Sequence, residues 1–362
     1  MARSLGAVAV MVLTAAASGC ANLSYYAQSV GGHLDLLGRQ QPIHRLLAED
    51  AESDEVLQAR LATVTRIRDF ASARLALPDN QSYRRYAALD RPYVVWSVVA
   101  APKFSLEPMT WCFLFAGCVN YRGYFDETAA RDFAAELKEQ GLEVHVGGVP
   151  AYSTLGWLAD PLPSTVIHWP THRLAGLIFH ELAHQVVYVA DDSAFNEAFA
   201  TAVERAGVRR WLRAHGTDEA VTSYRKELQA QTAFLRHIAD LRADLAEIYG
   251  GGLPAPARRR AKAEALAAFA RRWEGFRAAA GPRAAAYEGW FTSPPNNARL
   301  ATVALYHDLV PGFEALLQEA EGDLPAFYRR VEALAALDRP ARGARLKELT
   351  TKYAKNTKSN GY

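Results

Sequence analysis

The stretch HELAHQVVYVADDSAFNEAFATAVE, residues 180 to 204, decides how the chain is read. His180 and His184 are four apart, so on a helix they project from one face, one turn above the other, and their imidazoles can converge on one ion. Glu181 lies to one side of that face. Its carboxylate can reach an attacking water without ligating the metal, which is the position of a general base. Leu174, Leu177, Ile178, Leu182 and Ala183 make the helix otherwise apolar. Two imidazoles and a carboxylate left unpartnered there would be costly, and a bound zinc ion removes that cost.

A third ligand follows from the next turn. Ala190-Asp191-Asp192-Ser193 reads as a turn, with Asp192 or Ser193 capping a second helix. His184 and Glu197 lie about equally far on either side of its middle, so in an antiparallel helix pair they come level. His180, His184 and Glu197 would then hold one zinc ion with a position left open, as catalytic sites do. Two His and one carboxylate suit zinc best. Glu204 shares the helix face of Glu197. It is a candidate to accept from an imidazole N–H or to contact a substrate amine, or else a helix-surface carboxylate.

A chain of 362 residues, half of them apolar, can bury a substantial core. Lys and Arg number 41 against 39 Asp and Glu, so there is no general pull toward nucleic acid, and Arg258-Arg259-Arg260 reads as a solvated helix face. Residues 1–20 carry Arg3, an apolar run from Leu5 to Ala17 and small residues before Cys20. The run is short for a membrane span and reads as a secretion signal. Ala17-Ser18-Gly19-Cys20 resembles a bacterial lipobox, which implies lipid on Cys20, with Ala21 after it pointing to the outer membrane. The alternative is an ordinary secreted protein. Cys112 and Cys118 flank a turn at Ala116-Gly117 and either meet as a disulfide across a hairpin or stay buried thiols.

Residues 21–50 read as a tether and lead segment, and 51–205 as the catalytic core. Within it a helix is expected over 52–77, strands over 93–102 and 142–148, two more within 110–125, and a helix over 126–140. Residues 206–350 read as a helical lobe, with helices near 218–248, 255–280, 297–318 and 324–337, and 351–362 as a polar, frayed tail.

HELAHQ followed by NEAFA resembles the HExxH and Asn-Glu-x-Phe-Ala pattern of the gluzincin metallopeptidases, although the twelve-residue spacer is shorter than theirs usually is. The fuller resemblance is to a family of aminopeptidases in bacterial lipoproteins, carried by the YRGYF, STLGW, HELAHQ, NEAFA and PPNNARL blocks. It implies His180, His184 and Glu197 as zinc ligands and Glu181 as base. It also implies a zincin-like α+β fold: a small mixed sheet, an active-site helix and a large helical C-terminal lobe. Related zincins use a Tyr or His to steady the oxyanion, which makes Tyr306 and His307 the residues to test. An edge strand in such folds pairs with an extended peptide, so Tyr121, Arg122, Gly123 and Tyr124 could line the cleft or simply pack the sheet. Asn296 and Asn297 are open between a helix cap and a substrate contact. Asp160, Asp191 and Glu204 are the carboxylates available to grip a free α-amine.

Two readings result. One is a periplasm-facing, lipid-anchored zinc aminopeptidase with a peptide substrate. The other is a lipoprotein scaffold or assembly factor with a structural zinc. A fourth ligand from His172 or Asp192 would favour the scaffold.

Overall fold

The computed structural model describes residues 25–48, 54–113, 117–151, 153–291, 295–304 and 309–359. Residues 1–20, read above as a secretion signal ending at Cys20, and both Tyr306 and His307, lie outside the described residues. The architecture is α+β, with small sheets and a predominance of helix.

A helix over 25–38 (α1) opens the described chain. It is followed by β1 (Gln40–Pro42), α2 (Ile43–Ala48), α3 (Glu55–Leu75), β2 (Arg85–Ala87) and β3 (Val95–Ala101). Residues 25–48 of the lead segment are docked on the rest of the chain. Leu36 is buried, Tyr25 packs edge-on to Tyr124, and Gln28 accepts from Phe125 N. The expected helix over 52–77 is α3, capped by Asp54, which accepts from Val56 N and Leu57 N. It ends where Ala76 turns left-handed, two residues short of Pro78.

The segment 110–125 holds three strands rather than two: β4 (Trp111–Phe113), β5 (Gly117–Val119) and β6 (Arg122–Tyr124). β4 and β5 form an antiparallel pair in which Cys112 faces Cys118, and a disulfide joins them. Next come α4 (Glu127–Glu139), which ends before Gly141 at φ +85°, and β7 (Glu143–Val149). β3 is the centre of the sheet β6-β3-β7, antiparallel to both neighbours. Its run, apolar except for Ser97, is explained by cover on both faces. Trp96, Val98 and Ala100 pack with Ala130, Ala134 and Leu137 of α4, while Val99 and Ala101 pack with Ala298 and Ala301.

β8 (Leu162–Pro163) pairs parallel to β2, which is antiparallel to β1. A short helix, α5 (Ser164–Ile167), leads into α6 (Thr171–His184) and α7 (Ser193–His215). The helical C-terminal half comprises α8 (Asp218–Gly250), α9 (Ala255–Ala280), a 3₁₀ stretch (Gly281–Trp290), α10 (Asn297–Ala304), α11 (Val310–Glu319), α12 (Leu324–Ala335) and α13 (Arg339–Ser359). The helix expected over 297–318 is thus split between α10 and α11. The tail expected to fray continues α13 to Ser359, because LKELTTKYAK has good helix formers despite its polarity.

This half divides between two cores. Phe313, Phe327, Val331 and Leu346, from α11 to α13, join Leu61, Ile67, Phe179, Phe195 and Phe199 in the core around α3, α6 and α7. Phe234, Phe269, Trp273 and Phe276, from α8 and α9, form a separate aromatic core with Leu300. Among the described residues no helix is long and apolar enough to cross a membrane.

Candidate metal centre

α6 and α7 are brought close by small residues. A Cβ on Gly207 would lie 2.6 Å from Phe179 Cδ2 and 2.8 Å from Leu75 Cδ1, so this crossing of α3, α6 and α7 has no room for one. The turn between α6 and α7 places Asp191 at φ +61°, and Asp192 caps α7 by accepting from Phe195 N at 3.2 Å. Asn196 closes the loop from inside: Val189 N donates to its Oδ1 and its Nδ2 donates to Val189 O, both at 2.8 Å. This answers why an Asn precedes Glu197. It fixes the α7 start against the chain leaving α6. From the far end of the chain, buried Arg342 on α13 donates from both Nη2 and Nε to Asp192 Oδ2, at 2.7 and 2.9 Å.

Within this frame three side chains converge. The Nε2 atoms of His180 and His184 are 3.2 Å apart. Glu197 Oε2 lies 3.2 Å from His180 Nε2, and Glu197 Oε1 lies 3.6 Å from His184 Nε2. Nitrogen and oxygen ligands about 2.0–2.1 Å from a tetrahedral zinc are separated from one another by roughly 3.3 Å. The separations are of that order, with the two Glu197 distances measured from different oxygens; one ligand atom from each residue lies within 4.8 Å of the others, and among the described residues this trio is the one group of His, Cys, Asp and Glu that could hold a metal ion.

Glu204 orients the first ligand. Its Oε2 accepts from His180 Nδ1 at 3.1 Å, which leaves the Nε2 lone pair directed at His184 and Glu197. Gly176, one turn before His180, makes room for it: a Cβ there would stand 3.2 Å from Glu204 Oε1. Burial works to lower the His180 pKa, but Glu197 and Glu204 outweigh it and hold the ring well above the ordinary imidazole range. His184, buried and beside that charge, falls to about 4.

Glu181 is not among the convergent ligands. Burial, reinforced by the Glu197 charge against the opposing pull of His180, pushes its carboxyl up to about 7. The Ser153 hydroxyl lies within reach of it. Ser153 also donates to Asp160 Oδ2 at 3.1 Å, and Asp160 accepts from Thr154 N and Thr154 Oγ1. Asp160 is thereby committed to shaping the 153–160 loop. That loop turns through Leu155 at φ +57° and Gly156 at φ +83°, which rests against Gln185, and presents Trp157 89% exposed. Tyr188, whose ring lies 6.4 Å from that of His184, is half exposed.

Several of these neighbours escaped the sequence reading. Asn80 Nδ2 donates to Gln185 Oε1 at 2.6 Å, and Gln185 Nε2 donates to Ser82 Oγ at 3.3 Å, so the 78–83 loop holds the end of the His-bearing helix. Fully buried Arg68 folds that loop by donating to Ser82 O, Pro78 O and Asn80 O. The signal was present: Leu61, Val64, Arg68, Ala71 and Leu75 recur at three- and four-residue spacing, so Arg68 sits on the buried stripe of α3.

Other expected site residues lie elsewhere. Arg122 is stacked 4.0 Å over the Tyr25 ring and 4.7 Å over Phe133, and Tyr124 is buried in the sheet core. Those two side chains pack the sheet rather than lining a cleft, because β6 is an edge strand whose inner face is roofed by α1 and α4. Gly123 pairs with Ser97 of β3, and Tyr121 is half exposed. Asn296 caps α10 by accepting from Arg299 N. Asn297 is fully buried and ties Pro102 O and Lys103 O to the Tyr249 hydroxyl. His172 is bound to Glu227 at 2.9 Å and Asp192 to Arg342, so both candidates for a fourth ligand are engaged elsewhere.

Such a helix pair, with HExxH on one member and a carboxylate on the next, is a helical hairpin whose cluster could hold a metal ion. Residues 24–346 match the model of the family described as "Putative aminopeptidase", and the chain belongs to that family. No curated protein and no solved structure matches it.

Proposed function

We propose that the protein is a zinc-dependent peptidase, acting as an aminopeptidase, held by lipid on Cys20 at the periplasmic side of the outer membrane. The observation that carries this reading is the convergence of His180, His184 and Glu197 with Glu181 alongside but outside the ligand set. The family supports hydrolysis of peptides, and the donor set supports zinc.

When bound, zinc supplies Lewis acidity for water and for the scissile carbonyl. His180, His184 and Glu197 hold it, and Glu204 keeps His180 in the tautomer that leaves Nε2 free. Glu181 takes the proton of the attacking water and passes it to the leaving amine. A carboxyl poised near neutrality suits both halves of that transfer. Ser153 steadies Glu181, and Tyr188, whose ring lies 6.4 Å from that of His184, is available to touch a side chain of a bound peptide. The scaffold reading would need the ion closed by a fourth protein ligand, and His172 and Asp192 have other partners.

The test is metal content beside hydrolysis. The parent should hold one equivalent of zinc and cleave members of a panel of aminoacyl and peptide substrates. Glu197→Ala should lose the zinc, whereas Glu181→Gln should keep it and lose the cleavage. Equal cleavage by the parent and Glu181→Gln would sink the peptidase reading. Full zinc in Glu197→Ala would remove Glu197 from the ligand set.

A further inference from the structure

A second site lies between α7 and α8. A cavity of about 590 Å³ is lined by Arg205, Arg209 and Arg213 of α7, Arg225 and Arg236 of α8, and Glu314 of α11. The whole chain has a net charge of only +2, yet this one groove gathers five guanidinium groups against a single carboxylate. The α7 arginines follow one another at four-residue spacing along one face, a strip of about 12 Å at 1.5 Å per residue. Like charges so placed repel one another and cost helix stability. Glu314 offsets only the inner end, 3.5 Å from Arg205 Nη1 and 3.9 Å from Arg209 Nη1. Arg205 Nε is buried without a partner, and among the described residues Arg213, Arg225 and Arg236 have no ion pair.

We infer that this groove binds a phosphate-bearing ligand. A carboxylate can satisfy one guanidinium fork, whereas a phosphate offers three or four acceptor oxygens and can be shared among several. The floor is apolar, formed by Val221, Leu228 and the buried ring of Tyr224, and suits the organic part of a phosphate ester better than a bare ion. The ligand is either a soluble phosphate ester or the headgroup of an anionic phospholipid. The assignment does not depend on the zinc reading, since none of these residues ligates the metal.

The full-length chain is titrated with glycerol phosphate at low salt, with binding read by calorimetry. In parallel it is sedimented with phosphatidylglycerol or phosphatidylcholine vesicles. Arg213→Glu/Arg225→Glu and, separately, Arg236→Glu are compared with the parent, and each is checked for an unchanged thermal midpoint. Binding of glycerol phosphate that weakens at least about tenfold in the variants supports the site and identifies a soluble ester as sufficient. A preference for phosphatidylglycerol vesicles lost in the variants, with glycerol phosphate bound weakly, supports it with the lipid headgroup as the source. Folded variants that bind both probes as the parent does, or a parent that binds neither above its phosphatidylcholine background, overturn it. Should the double variant fail to fold, Arg236→Glu alone decides.

Discussion

The α6–α7 and α8–α9 pairs are both helical hairpins, yet one encloses ionisable groups and the other aromatic rings. Between α6 and α7, His180, His184, Glu197 and Glu204 meet at the edge of an apolar core, and capping, the Asn196 clasp and the Arg342 pair fix their positions. Between α8 and α9, Trp273 stacks on Phe291 at 3.9 Å, with Phe234, Phe269 and Phe276 around them. The first hairpin spends structure on holding polar atoms at set distances, and the second gains stability by burying area. Function should therefore be lost from the first by changes that leave folding intact, and stability from the second by changes that leave the metal in place.

The sharpest separation is expected from Glu181→Gln, which should reduce peptide hydrolysis by about a thousandfold, in line with loss of a general base, while zinc stays at one equivalent. Loss of less than tenfold would break the comparison at its functional end. In the other hairpin, Phe269→Ala should cost about 3–5 kcal/mol in chemical denaturation without altering zinc stoichiometry. A fall in metal content there would mean that the two hairpins are coupled.

Smaller effects probe the geometry around His180. Gly176→Ala puts a methyl group 3.2 Å from Glu204 Oε1 and should weaken zinc binding about 10–100-fold, as should Glu204→Gln. An affinity unchanged in both would show that Glu204 does not orient the ring. The smallest effect is that of pH. In the metal-free protein Glu197 and Glu204, opposed by burial, hold His180 protonated well above the usual range, so below its pKa zinc must expel a proton. Competition titration should show affinity rising by up to about tenfold per pH unit and levelling once His180 is neutral in the free protein. A flat profile through neutral pH would contradict the raised pKa.

The legibility of the chain followed the range of its interactions. His180, His184, Glu197 and Glu204 lie on two adjacent helices, where a four-residue and a seven-residue spacing translate directly into shared faces. The 52–77 and 126–140 helices were readable for the same reason, since capping and apolar period are local. The three-residue strands β4, β5 and β6 are too short to carry a period, and β3 takes both partners from 24 to 54 residues downstream. Ser153, Gln185, Asn80 and Arg68 likewise act across the fold. Asn80 and Gln185 are 105 residues apart, and each residue alone reads as an ordinary polar side chain. The aromatic character of YRGYF was visible in advance. That Arg122 would stack on Tyr25 was not, because the lead segment gave no sign that it would form a roof over the sheet.

The Arg342–Asp192 pair spans 150 residues, and that separation bears on the order in which the protein can be made. A chain that emerges N-terminus first exposes HELAHQ and NEAFA long before α13 follows to grip the start of α7. Until then Asp192 has no counter-charge, and the apolar sides of α6 and α7 await Phe313, Phe327 and Leu346. The candidate metal centre is thus finished from the last part of the chain to emerge, and a chain truncated short of Arg342 should carry His180, His184 and Glu197 yet hold them loosely.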